Sequence, residues 1–432
     1  LSEIIMSLDR IYRQALKAFE NKDLLKAKKL FLKILKHHPQ HLDAHYLLGT
    51  LYAEQGLHRK ALHHLNEAIK INPNSAMIHT NLGILHLQIN DFISAEKSLR
   101  TALAIDETLY QAHFNLAIVL QQTNQIAESL DHLLSTLKID PYFFPALLRV
   151  AQIQKESDDL LSAEFNARKA VEIQPENIEA LYLLANILAQ SEQVEQTIEV
   201  YQQLLKLNPD DESAAYVLSI LNEKIPSAPP RIHFENIFNE MSGDFDHHLE
   251  ELGYQGPMQL LSLLKITENT ETKFNRLLDI GCGTGAVGQL FHDQVKYLMG
   301  IDIADKMLGQ CEQTGLYNDL ECTDIFALDA KNKDFDLVVA ADVFPYLGEL
   351  NPIIQAIGQR MIPGGFLLFT TERDETAEGY YVDKLSGRYR FSDDYLKEVA
   401  QKQQFKIIHM QTEPLRKEKS EWISGHFCVW QK

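Results

Sequence analysis

Glycine is nearly missing from the first half of this 432-residue chain. Of its 20 glycines only Gly49, Gly56 and Gly83 precede residue 230. A stretch so poor in the residue that supplies tight turns reads as helices rather than hairpins. Cysteine is scarce as well. The four, Cys282, Cys311, Cys322 and Cys428, form no CxxC pair. That excludes a disulfide framework, gives no metal-ligand set, and suits a reducing, cytoplasmic setting. No run of about 18 apolar residues exists, so no membrane-spanning helix is expected. The first residues lack the basic-then-apolar pattern of a secretory signal. Positive charge is short overall: 41 Lys and Arg face 60 Asp and Glu, a net −19. Bulk nucleic acid and anionic membranes are therefore disfavoured partners. Residues 1–41 run against this, with nine Lys/Arg to four Asp/Glu, and read as a solvated helix face. The apolar fraction of 45% and charged fraction of 23% are those of a folded protein, and the length suits two or three domains.

Three prolines among Ile225-Pro226-Ser227-Ala228-Pro229-Pro230 cannot continue a helix. They divide the chain into residues 1–225, a linker at 226–233, and residues 234–432. The first segment repeats every 34 residues. Pro39, Pro73, Pro141, Pro175 and Pro209 share one column, with Glu107 in the missing slot. Ala15, Gly49, Gly83, Ala117, Ala151 and Ala185 form a second column; Ala27, Ala61, Ala95, Ser129, Ala163 and Thr197 form a third. Small residues at fixed offsets let paired helices approach closely. This period and pattern, clearest in residues 46–73, resemble the tetratricopeptide repeat. Six repeats span residues 8–211, and residues 212–224 read as a capping helix. The resemblance implies an all-α solenoid with a concave, peptide-binding groove. Tyr46, Asn81, Phe114, Asn115 and Tyr182 are its candidate lining. Asn81 and Asn115, equivalent in successive repeats, have amides suited to an extended peptide backbone.

The second half alternates short apolar runs with helical patterns. Strands are expected at residues 276–280, 297–301, 320–322, 335–340, 366–370, 405–410 and 426–430. Helices separate most of them, which argues a doubly wound α/β sheet, with the last two strands as an antiparallel edge. Asp279-Ile280-Gly281-Cys282-Gly283-Thr284-Gly285 runs from a strand into a glycine turn, where a ligand can approach the backbone. Position 286 is Ala, and the preceding Asp279 would repel a pyrophosphate. Asp279 suits a cationic ligand such as S-adenosylmethionine, which carries a sulfonium and an ammonium. Asp302, at the end of the second strand pattern, suits a ribose diol. Ile303 and Met307 follow it. Asp324 and Ile325 suit an adenine amino group and ring. Ala341 and Asp342 end the fourth strand.

Together these motifs resemble the class I S-adenosylmethionine-dependent methyltransferases, over about residues 234–432. The whole chain is similar to predicted methyltransferases with N-terminal tetratricopeptide repeats. Residues 238–257, 340–350, 386–396 and 415–430 carry that closer match. The resemblance implies a Rossmann-like, seven-stranded domain in a multidomain chain. The expected cofactor set is Asp279, Gly281, Cys282, Gly283, Gly285, Asp302, Ile303, Met307, Asp324, Ile325 and Ala341. It also implies that the helix near residue 245 lies over the cofactor; a tyrosine often stands where this chain has Phe245.

Methyl transfer needs alignment and dryness more than acid–base chemistry. Asp342, as orienting carboxylate or base, Tyr346, as pocket wall, and Glu372, as a ligand for a substrate amine, are the candidate catalytic residues. His247, His248 and Tyr254 fall near the same pocket. Arg388 and Arg390 read either as an anion grip or as a surface loop. The expected activity is methylation of an acceptor, protein or peptide ahead of small metabolite, that the repeats recruit or position. The competing expectation is an adaptor whose second domain binds cofactor without turnover.

Overall fold

The structure is a computed structural model that describes residues 2–267, 274–375, 378–384, 386–418 and 421–432. It divides into two compact units, Leu1–Ser191 and Glu192–Lys432.

In the first unit helices run in pairs, and after the first pair, Ser2–Glu20 with Leu24–His37, the leading helix is one residue shorter than its mate, as in Leu42–Glu54 with His58–Ile71 and Ala76–Gln88 with Phe92–Ile105. The turn inside each pair is made by a left-handed residue. Lys22, Gly56, Asn90, Asn124 and Asp158 have φ between 57° and 69° and fall 34 residues apart. Only one of these is glycine, so the other four are held there by the surrounding pair. Asp23, Asp91 and Asp159 then cap the following helices, accepting from the backbone amides of Lys26, Ser94 and Ser162. The small-residue columns have a steric cause. A Cβ at Gly49 would stand 2.6 Å from Leu65 Cγ, and one at Gly83 2.5 Å from Leu99 Cγ.

Nine strands appear among the described residues of the second unit: β1 (Phe274–Ile280), β2 (Val295–Asp302), β3 (Asp319–Cys322), β4 (Phe335–Ala340), β5 (Met361–Arg373), β6 (Tyr380–Val382), β7 (Tyr389–Phe391), β8 (Lys406–Glu418) and β9 (Glu421–Gln431). The first five lie parallel in the order β3-β2-β1-β4-β5. β9 runs antiparallel beside β5, and β8 closes the edge. These seven are the strands expected from the sequence. The fold is thus a helical repeat array followed by a Rossmann-like sheet. The short hairpin β6–β7 was not anticipated. Glu372 pairs with Gly425 of β9 on one edge of β5 and with Arg390 of β7 on the other. The hairpin therefore continues the edge that β4 has vacated, at the carboxyl ends of the strands.

The helices Val194–Leu207 and Glu212–Leu221, read as the end of the array, fall in the second compact unit. Tyr216 and Ile220 are buried with Leu278, Met299 and Trp430 in one core. The Tyr216 hydroxyl lies 3.3 Å from that of Tyr389, which donates to the Pro226 carbonyl at 3.0 Å. The expected capping helix thus packs against the sheet unit and ties the proline-rich segment to it.

Candidate active site

β1 ends in a turn that glycine makes feasible. Gly281, Gly283 and Gly285 have φ of 66°, 53° and 103°. A Cβ at Gly281 would meet Val343 Cγ2 at 2.6 Å, and one at Gly283 would stand 3.7 Å from Phe245. The turn is held from β2: the amides of Gly281 and Cys282 donate to the Ile301 carbonyl, and the Gly283 amide donates to Asp302 Oδ2 at 2.9 Å. Asp302 Oδ1 accepts from the Ala304 amide at 2.9 Å. Burial raises the Asp302 pKa while these amides oppose the shift.

A cavity of about 380 Å³ opens over this turn, at the carboxyl ends of β1, β2 and β4. It collects most of the residues read as cofactor-binding: Gly281, Cys282, Gly283, Asp302, Ile303, Met307, Asp324, Ile325 and Ala341. Asp324 shapes its own loop, accepting from the amides of Phe326 and Ala327, with Arg231 at 3.6 Å. Gly285 and Asp279 stand apart from the lining. A Cβ at Gly285 would meet Cys311, Thr314 and Tyr317 instead. Asp279 is fully buried, and its Oδ2 accepts a 2.7 Å hydrogen bond from the Tyr317 hydroxyl. Burial pushes its pKa up to about 8 against that hydrogen bond. Asp279 thus braces the turn from behind, and the cationic contact expected of it finds no geometric support. Tyr317, the partner, carried no sequence signal.

A lid covers the turn. The helices Arg231–Met241 and Phe245–Glu251 place Phe234, Phe238, Phe245 and Leu249 in the cavity wall. The lid is fastened where Asp246 accepts from Thr284, Asn239 accepts from the Lys306 amide, and the Ser242 carbonyl accepts from Gln310. His247 and His248 are exposed and outside the wall. Residues Ser227–Pro230 form a strap along the rim, held where the Glu349 amide donates to the Ser227 carbonyl at 2.7 Å.

Asp342 and Tyr346 also line the cavity. Asp342 sits at φ 57°, and its amide donates to Thr370 Oγ1 at 2.8 Å. Tyr346 packs edge-on against Phe234 and Phe238, at 5.1 and 5.0 Å between centroids. Glu372, the third candidate, is fully buried and does not line the cavity. It accepts from Arg388 and, at 3.0 and 2.8 Å, from Arg416, with Arg390 at 3.4 Å. A carboxylate so surrounded has no room for a substrate amine. Arg388 is the residue the sequence reading left undecided. It is buried, not on a surface loop, and its guanidinium donates to Glu372, Asp342 and Tyr346 together. Burial raises the Asp342 pKa, and Arg388 opposes the shift.

In the first unit, the groove candidates are partly engaged by the array itself. Asn81 donates to the Tyr46 hydroxyl at 3.0 Å, and Asn115 to the Gln111 carbonyl at 2.7 Å. Phe114 packs edge-on to Phe143. Tyr182 is half-buried. Each of the two asparagine amides expected to meet a peptide thus spends one N–H within the array.

Residues 278–369 match the family model of a methyltransferase domain, and residues 18–83 that of a tetratricopeptide repeat. Residues 156–223 match the model described as anaphase-promoting complex, cyclosome, subunit 3. Among curated proteins, a malonyl-[acyl-carrier protein] O-methyltransferase of Bacillus cereus is 31% identical over 27% of this chain and 44% of its own length. A ubiquinone biosynthesis O-methyltransferase of Idiomarina loihiensis is 26% identical over 24% of this chain and 46% of its own. The chain spans less than half of either relative. The structure of the N-methyltransferase NodS from Bradyrhizobium japonicum, with S-adenosyl-L-homocysteine, is 21% identical, covering 41% of this chain and 85% of that one at a TM-score of 0.34.

Proposed function

Because a methyltransferase domain follows tetratricopeptide repeats in this chain, we propose that it transfers a methyl group from S-adenosylmethionine to an acceptor that the repeat array recruits. The observation that carries this reading is the cavity over the glycine turn. It is cradled by glycines with positive φ, one of which, Gly281, has no space for a Cβ, and bounded by Asp302 and Asp324 at the ends of successive strands.

The bound cofactor would supply an electrophilic methyl group on a sulfonium. Gly281, Cys282 and Gly283 would give it backbone contact, Asp302 would accept from its ribose, and Ile325 would pack on its base. Asp302 keeps lone pairs for this beyond its two amide partners. The lid rings exclude water from the reacting face. Asp342 and Tyr346 would border the acceptor. A protein or peptide acceptor is favoured by the fused array, since helical repeats commonly hold extended chains.

Asp302→Ala tests the placement. It removes the acceptor of a charge-assisted ribose hydrogen bond, about 1.5–3 kcal/mol, so calorimetric affinity for S-adenosylhomocysteine should fall by about tenfold to a hundredfold. Unchanged affinity would put the cofactor elsewhere.

A further inference from the structure

We infer that the acceptor presents an aliphatic amine, held by Asp342 and Tyr254 inside a box of aromatic rings; this deepens the methyl-transfer reading above and rests on it. Three observations lead there.

The first is charge. The ionisable acids and bases lining the cavity are Asp302, Asp324, Asp342, Glu349 and Arg231. Arg231 is already shared between Asp324 and Glu235, at 3.6 and 3.4 Å. Arg388 lies behind the wall with its guanidinium turned to Glu372, Asp342 and Tyr346. An acceptor carboxylate or phosphate would thus face Asp342 and Glu349, and the one guanidinium in the lining among the described residues, Arg231, is already engaged by two carboxylates.

The second is the box itself. Phe234, Phe238, Phe245 and Tyr346 all line the cavity. Their rings follow one another at 5.1 Å (Phe234–Tyr346), 5.0 Å (Phe238–Tyr346) and 6.3 Å (Phe238–Phe245), the three pairs near edge-on. The Tyr346 ring already takes the Arg388 guanidinium, 4.4 Å from its centroid, so the negative π-faces left to attract an ammonium are those of Phe234, Phe238 and Phe245.

The third is unused acceptor capacity. Asp342 Oδ1 takes the hydrogen bond from Arg388, and among the described residues no donor reaches Oδ2. The Tyr254 hydroxyl is buried beside Asp342 and Thr370, and among the described residues it meets no partner in good hydrogen-bond geometry. It is pressed into place by the helix start, where a Cβ at Gly256 would stand 2.1 Å away. An ammonium has N–H groups for both acceptors. An alcohol could donate to Oδ2 and accept from the Tyr254 hydroxyl, but it brings no positive charge to the carboxylate or to the rings.

In the step, the ammonium gives one proton to Asp342 Oδ2. The freed nitrogen lone pair then forms the N–CH3 bond as the C–S bond breaks, and that bond's electrons stay on sulfur as a neutral thioether. The positive charge passes from sulfur to the methylated nitrogen, and Asp342 returns its proton to water.

The test uses the full chain saturated with S-adenosylhomocysteine, titrated calorimetrically with hexylamine, hexanol and hexanoate. In parallel, the three are incubated with S-adenosylmethionine and products read by mass spectrometry. Hexylamine should bind at least about tenfold tighter than either isostere and yield N-methylhexylamine. Asp342→Asn should weaken amine binding by about tenfold or more and Tyr254→Phe by severalfold, with S-adenosylhomocysteine affinity within about twofold of wild type as the check on folding. Equal or tighter binding of hexanol or hexanoate, or no binding of hexylamine, overturns the amine. Failure of wild type to bind S-adenosylhomocysteine overturns the underlying reading instead.

Discussion

Arg388→Met is the perturbation whose consequence follows most directly from the geometry. The Arg388 side chain is 9% exposed, Asp342 14% and Glu372 0%. Glu372 would keep both hydrogen bonds from Arg416. Asp342 would keep no ion pair among the described residues. Removing one partner of a buried pair costs about 3–5 kcal/mol, and with Glu372 still paired the low end applies, about 3 kcal/mol. For a unit of this size each kcal/mol lowers the melting temperature by about 2–4 °C, so a fall of about 6–12 °C is expected at pH 8. The sign with pH is also fixed. Burial already raises the Asp342 pKa, and losing Arg388 raises it further. The folded variant then holds a proton to higher pH than the unfolded chain does. Its deficit should shrink as pH falls from 8 to 5.5. Differential scanning fluorimetry at both pH values measures this, following the transition that S-adenosylhomocysteine raises. Arg388→Lys should fall between, since an ammonium cannot fork to three partners. A fall under about 2 °C at pH 8, or the same fall at both pH values, would refute the reasoning.

Other perturbations test other parts. Gly348→Ala would set a Cβ 2.1 Å from the Ser227 carbonyl oxygen and push the strap off the rim; affinity for S-adenosylhomocysteine by calorimetry should drop by about tenfold, for about 1–3 kcal/mol of overpacking. Asp279, with its folded pKa pushed to about 8, should make stability fall as pH rises from about 4 through 8; Asp279→Asn keeps an acceptor for Tyr317 and should flatten that slope in urea unfolding. His64 lies 3.0 Å from His45 ring to ring, and burial with His45 and His63 pushes its pKa down to about 4, against Glu67. Protons then favour the unfolded chain, so array stability should fall as pH drops from about 6.5 to 4, by up to about 1.4 kcal/mol per pH unit at each such site. His64→Asn should remove most of one site's share, seen by circular dichroism; an unaltered slope would show that His64 is not buried neutral.

What could be read beforehand follows from how local the determinants are. The repeat is written in single columns, because each small residue meets its partner helix within the next few dozen residues: Gly49 faces Leu65, and Gly83 faces Leu99. The glycine turn is likewise local, and Asp302 is fixed by the strand that ends in it. The same logic explains the failures. Asp279 looked ligand-facing because it precedes the glycine turn by two residues. Its partner Tyr317 lies 38 residues away, and burial behind the turn is invisible in a one-dimensional pattern. Glu372 looked available because it ends a strand. Its cations arrive from Arg388 and Arg416, 16 and 44 residues on. Those arginines sit just before β7, itself three residues long, and in the extended arm of β8, where neither apolar alternation nor a helical stripe marks a buried charge. A buried arginine is legible only once its carboxylates are in place, and here β4, β5 and β7 each contribute one side of that arrangement. The acceptor end therefore could not be read from any one segment. It is an edge effect of the sheet: where β4 stops, β7 takes its place beside β5, and Arg388, on the turn that leads into β7, donates to both Asp342 and Tyr346.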